Sequence, residues 1–119
     1  MENKKSVSHS MSLYPEGFDM IRSGTKTVEV RLYDEKRRKL RTGDRLTFEK
    51  LPERTETIET EIIDIKTFPT FEELYRELGF EPLGRADKTM NWMLEKTREL
   101  CSKELEEKHG AVAIYIKAI

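Results

Sequence analysis

The sequence predicts a small α+β domain, a mixed, largely antiparallel barrel-like sheet with flanking helices. Three observations lead there. At least five short segments carry strand patterns, and three segments among them carry helical periodicity with end signals. Strand lengths and turn signals fit such a sheet better than a doubly wound α/β fold. At 119 residues the chain has the length of one domain. Residues 1–6 are polar and read as a frayed terminus, leaving 7–119 as the folded unit.

The elements follow in order. Val7 to Leu13 reads as extended. Pro15 suits a first helical turn, Phe18 and Ile21 lie three apart, and Gly24 can close that short helix. Residues 26–32 alternate with period two: Val28, Val30 and Leu32 share one face, Thr27, Glu29 and Arg31 the other. Asp34 to Arg41 is a charged turn or short helical loop, and Gly43-Asp44 feeds a strand with Leu46 and Phe48 inward. Residues 57–66 continue the sheet. The adjacent Ile62 and Ile63 mark a bulge that shifts the inward face from Ile58 and Ile62 to Ile63 and Ile65. Thr70 with Glu73 forms a capping box for a helix that stops at Gly79. A loop from Phe80 to Arg85 leads to one long helix over Asp87 to Lys108. Its stripe is Met90, Met93, Leu94, Thr97, Leu100, Cys101 and Leu105. Gly110 ends it, and Ala111 to Ile119, apolar on both faces, reads as a central strand.

Composition excludes several classes. No apolar run approaches the ~18 residues of a membrane helix, and no signal-peptide core is present. One cysteine, Cys101, cannot form an internal disulfide, and with only His9 and His109 no Cys/His zinc cluster can be built. A cytoplasmic, monomeric protein without metal or cofactor is expected. Net charge is −1, yet residues 22–54 carry a net +5 and residues 55–119 a net −5. One basic segment on a neutral protein suits an anionic or polynucleotide partner at one face, the alternative being simple solvation.

Two stretches carry candidate chemistry. The first is the strand face with Lys26, Thr27, Glu29 and Arg31, which could line a polar cleft: Arg31 to clamp a phosphate or base edge, Lys26 to donate to an anion or act as a base, Glu29 to accept from an exocyclic amine. A solvated face with Glu29 paired across strands is the alternative. The second is the run Lys36, Arg37, Arg38, Lys39 and Arg41, extended by Arg45, Lys50 and Arg54, as a phosphate contact or a self-paired connector. Tyr14 and Tyr33 are candidates to stack on a base, and His9 is a secondary candidate in the first strand. Trp92 reads as packing or a lid, and His109 as a helix C-terminal residue favoured by the dipole.

Gly24-Thr25-Lys26-Thr27-Val28-Glu29-Val30-Arg31-Leu32, then Asp34 to Arg38, then Gly43-Asp44 with Leu46 and Phe48, resembles the ASCH domain family, as does Phe68-Pro69-Thr70-Phe71-Glu72-Glu73-Leu74. The resemblance runs from about Ser8 to Ile119. It implies a PUA-like β-barrel with flanking helices, a cleft beneath the first helix, and a role in RNA metabolism through RNA or nucleoside binding. One branch of the family removes the acetyl group from N4-acetylcytidine, using a lysine, a threonine three residues later and a downstream glutamate. The lysine falls on Lys26; Glu29 stands where that branch has threonine, and Glu81 or Asp87 are the downstream acids on offer. Lys26 and Glu29 are thus the catalytic candidates of an amidohydrolase reading. A protein-interaction module is a third.

Overall fold

The computed structural model describes residues 6–119. Most of the expected frayed terminus, residues 1–5, lies outside the described residues, and Ser6 is exposed. The elements run β1 (Ser8–Leu13), α1 (Pro15–Ser23), β2 (Val28–Leu32), a 3₁₀ turn (Arg37–Lys39), β3 (Arg45–Lys50), β4 (Thr57–Phe68), α2 (Phe71–Leu78), α3 (Met90–Leu100), α4 (Lys103–His109) and β5 (Ala111–Ala118). The five strands form one curled sheet in the order β1-β3-β4-β5-β2. Only the β1–β3 pair is parallel. The mixed, largely antiparallel sheet of the sequence reading is therefore the observed one, with β1 and β2 as its two free edges.

Each side of the sheet buries its own core. Inside the curl, Met11, Leu13, Leu46, Phe48, Ile62, Val112, Ile114 and Ile116 pack under Phe18 and Ile21 of α1. On the outer side, Val28, Ala111 and Ala113 pack against Phe71, Leu74 and Tyr75 of α2 and Met93 of α3. β5 reads as apolar on both faces because it contributes to both cores, its large residues inward and its alanines beneath the helices.

Local signals placed most ends correctly. Pro15 opens α1, and Gly24, at φ 84°, closes it with its N–H on the Ile21 carbonyl. Thr70 caps α2 by accepting the Glu73 N–H at 3.1 Å. Gly110, at φ 77°, turns α4 into β5 so close to β4 that an added Cβ would lie 2.8 Å from the Phe68 carbonyl oxygen.

Two expectations need correction. The single helix over Asp87 to Lys108 is two helices. Cys101 is extended, and Ser102 begins a new cap by accepting the Leu105 N–H, so the chain turns where periodicity alone continued. Leu100, 81% exposed, and Leu105 consequently leave the expected stripe, whereas Cys101 stays buried. The bulge lies where expected: Ile62 pairs with Ile116 and Asp64 with Tyr115, leaving Ile63 as the extra residue. That places Ile63 outward and half exposed rather than inward, and the inner face resumes at Ile65.

Candidate functional site

β2 carries its alternation into two different environments. Val28, Val30 and Leu32 pack under the outer helices, while Glu29 and Arg31, opposite Ile114 and Val112 of β5, face the inside of the curl. The polar face is therefore not a solvated sheet surface. Glu29 is 3% exposed.

Two cations hold this carboxylate. Arg31 Nε donates to Oε2 at 2.6 Å, and Lys26 Nζ lies 2.8 Å from Oε1. The ammonium approaches Oε1 off the line of a hydrogen bond, so that oxygen has an ion pair but no aligned donor. Burial pushes the Glu29 carboxyl up, but Lys26 and Arg31 outweigh it and hold the group below its ordinary value. The carboxylate lies beneath, and the cations reach outward: the Lys26 and Arg31 side chains are 15% and 22% exposed. One negative and two positive charges leave the niche at net +1.

Arg31 also spans the gap between the sheet edges. Its Nη2 donates to the Ser12 carbonyl of β1 at 3.0 Å, joining strands that share no ladder. Two of its five N–H donors are thus engaged, and of the three on Lys26 one faces Glu29. Above the ammonium α1 presents Gly17, where an added Cβ would stand 4.0 Å from Lys26 Nζ. Below it Gly84, at φ 74°, leaves room that a Cβ would lose to Met20 Sδ at 2.7 Å.

The other candidates lie elsewhere. Thr27 is exposed, its backbone fixed by the Pro82 carbonyl and the Ile116 N–H, so it does not join Glu29 and Arg31 in the niche. His9 sits three residues before Ser12, about 10 Å back along the strand. There its Nε2 pairs with Asp44 at 2.8 Å. Burial raises the Asp44 carboxyl, but His9 and the N–H groups of Val7 and Arg41 outweigh it and keep it low. Tyr33 lies past the far end of β2, half-buried, with the Arg38 guanidinium 4.3 Å over its ring. Tyr14 is 69% exposed. Glu81 and Asp87 line a hollow of about 500 Å³ with Gly24, Thr25 and Gly84, and Lys26 pairs with Glu29 alone among the described residues.

The basic run is largely committed to its own loop. Arg37 pairs with Asp34 at 2.9 Å, Arg38 donates to the His109 carbonyl, and Arg41 donates to the Arg38 and Leu40 carbonyls. Arg45, Lys50 and Arg54 pair with Glu59, Asp19 and Glu49 respectively. Lys36 and Lys39 are exposed and carry no ion pair among the described residues. Neither Trp92 nor Glu106 stood out as polar-site residues in the sequence. Trp92 is half-buried with three cations over its ring, and Glu106 is a buried carboxylate beneath α2, as Glu29 and Asp44 are elsewhere. No group of three or more His, Cys, Asp or Glu among the described residues is arranged to hold a metal. No helix among them is long and apolar enough to cross a membrane.

The family model for the ASCH domain matches residues 11–119. Among curated proteins none matches the chain. The fold is similar to the crystal structure of hypothetical protein PH0355, 31% identical, with 95% of this chain and 100% of that one covered and a TM-score of 0.86. Protein PF0455 from Pyrococcus furiosus is 29% identical over 95% of this chain and 98% of its own, with a TM-score of 0.77. An ASCH protein from Zymomonas mobilis, solved as an S128A mutant, is 20% identical over 91% of this chain and 66% of its own. Its TM-score of 0.65 is a likeness of fold.

Proposed function

The chain belongs to the ASCH domain family, and from that premise we propose that it binds RNA or a nucleoside at the niche of Lys26, Glu29 and Arg31. One observation carries the reading. A buried carboxylate fixes two partly exposed cations in place, and together they leave one positive charge and unspent N–H donors facing outward. Such a floor recognises oxygen acceptors, a base carbonyl or a phosphate, because donors already held in position lose little freedom on binding. Glu29 acts by positioning. Its carboxylate, kept ionised by its partners, orients Lys26 and Arg31 while they make the contacts.

Deacetylation of an N4-acylated cytidine is the second reading, favoured by the 2.8 Å approach of Lys26 to Glu29. It demands more of the same residues. A carboxylate held below its ordinary value is a weak proton acceptor near neutral pH, and position 29 offers no hydroxyl nucleophile.

Titration with uridine monophosphate and short single-stranded RNAs, wild type against Lys26→Met, tests the first reading. Binding that weakens about tenfold or more in the variant supports it, a loss of ~1.4 kcal/mol. Equal affinities would overturn it. Incubation with N4-acetylcytidine separates the second, since acetate release that disappears in Lys26→Met would make this an enzyme.

A further inference from the structure

The surface beside the niche has the features of a track for a nucleic-acid strand. Residues 83–88 lead from one to the other. Leu83 forms a bridge with Lys26, Gly84 packs against the Lys26 stem, and the chain then passes Arg85 and Lys88 to reach Thr89, the cap of α3. Trp92, in the first turn of α3, gathers the cations of this stretch. Arg85 lies 5.1 Å, Lys88 4.7 Å and Lys96 5.6 Å from its ring centroid. Three of the seven cation–ring contacts among the described residues therefore fall on this one indole, the ring type that draws cations best.

The acids nearby divide into two kinds. Glu16 of α1 takes Arg85 in a two-toothed pair at 3.1 and 3.2 Å. The Arg85 hydrogen bond lowers the Glu16 carboxyl, with smaller contributions from Lys88 and Lys26. Arg85 is thereby occupied as a brace. Lys88 and Lys96 pair with Asp87 and Glu99, each at 3.6 Å and each acid mostly exposed. Such pairs are worth ~0–1 kcal/mol and yield readily to a better anion. α3 is also the one α-helix among the described residues with no acidic residue in its first turn, so its positive end adds to the patch.

We propose that Lys88 and Lys96, held over Trp92 and braced by Arg85, contact the phosphates of an RNA strand whose adjoining nucleotide occupies the Lys26 niche. The inference rests on the reading above and moves the backbone contact away from the run 36–41, whose arginines are held by Asp34 and by backbone carbonyls of Arg38, Leu40 and His109. The probes are oligouridylate and uridine monophosphate, and the proteins are wild type, Lys88→Gln/Lys96→Gln and Lys36→Gln/Lys39→Gln, each across a salt series. The first double variant should bind oligouridylate about tenfold more weakly at about 0.1 M salt, with a salt slope lower by about 1.4. Its affinity for uridine monophosphate should match wild type, and Lys36→Gln/Lys39→Gln should match wild type on both probes. Loss in the Lys36→Gln/Lys39→Gln variant instead, or oligouridylate affinity in Lys88→Gln/Lys96→Gln equal to wild type, would overturn the track while leaving the niche standing. Wild type that binds neither probe would overturn the niche and the track together.

Discussion

Glu29 and Glu106 are both buried carboxylates, 3% and 5% exposed, yet their surroundings assign them different work. Glu106 accepts one cation, Arg98 at 2.5 Å, and one neutral donor, the Phe71 N–H that opens α2, at 2.6 Å. Its negative charge is cancelled by one guanidinium and by the positive end of a helix, and nothing is left over. Glu29 instead holds two cations and no backbone N–H, and both cations extend toward solvent. Burial of a carboxylate is therefore no sign of a site. What distinguishes the two is the charge and the donors remaining once the carboxylate is satisfied.

The largest effect expected is at Glu29. Glu29→Gln removes the one anion between Lys26 and Arg31, and breaking a buried pair of this kind costs about 3 kcal/mol. Urea unfolding would show that loss, and RNA titration a further loss of binding as the cations move apart. The pH dependence has a definite sign. The folded Glu29 carboxyl lies below its ordinary value of 4.5, so its contribution is complete above that pH and fades as pH falls through the depressed folded value. The gap between wild type and Glu29→Gln should be constant at neutral pH and narrow in acid. A gap that widens on acidification would contradict the ion-pair account.

Glu106→Gln should cost less, about 2 kcal/mol, because the amide oxygen can still accept the Phe71 N–H while Arg98 loses its partner. RNA binding should be unchanged. A variant of Glu106 that abolishes binding without a matching stability loss would erase the contrast.

Sequence periodicity and end signals were enough for the frame. Pro15, Gly24 and Thr70 act through contacts within a few residues, and the Val28-Val30-Leu32 alternation needs only one buried side. The break at Ser102 escaped because the hydrophobic stripe runs on in register through a residue that caps a second helix. The site was half legible. Lys26, Glu29 and Arg31 share a strand face, but that this face lies inside the curl depends on β1, far away in sheet order, closing against β2 through Ser12. Thr27 shares the alternation and misses the niche because it precedes the strand proper, and His9 misses it by pairing with Asp44. The spacing of Trp92 and Lys96, four residues apart within α3, was a readable signal for part of the cation cluster, since such neighbours share a helix face, whereas Lys88 precedes the cap.

The smallest effect sharpens the comparison from the other side. Thr70→Ala removes the second anchor of the α2 N-terminus and should cost about 1 kcal/mol. Combined with Glu106→Gln, the losses should depart from additivity, since both groups serve one helix end. Combined with Glu29→Gln, they should add.

The most direct measurement follows the side-chain resonances of the lysines by NMR as uridine monophosphate is added to the intact chain. The account predicts that the Lys26 ammonium shifts first and saturates while Lys36 and Lys39 stay in place. Saturating shifts at Lys36 and Lys39 with Lys26 unmoved would show that the buried ion pair merely closes the seam of the sheet.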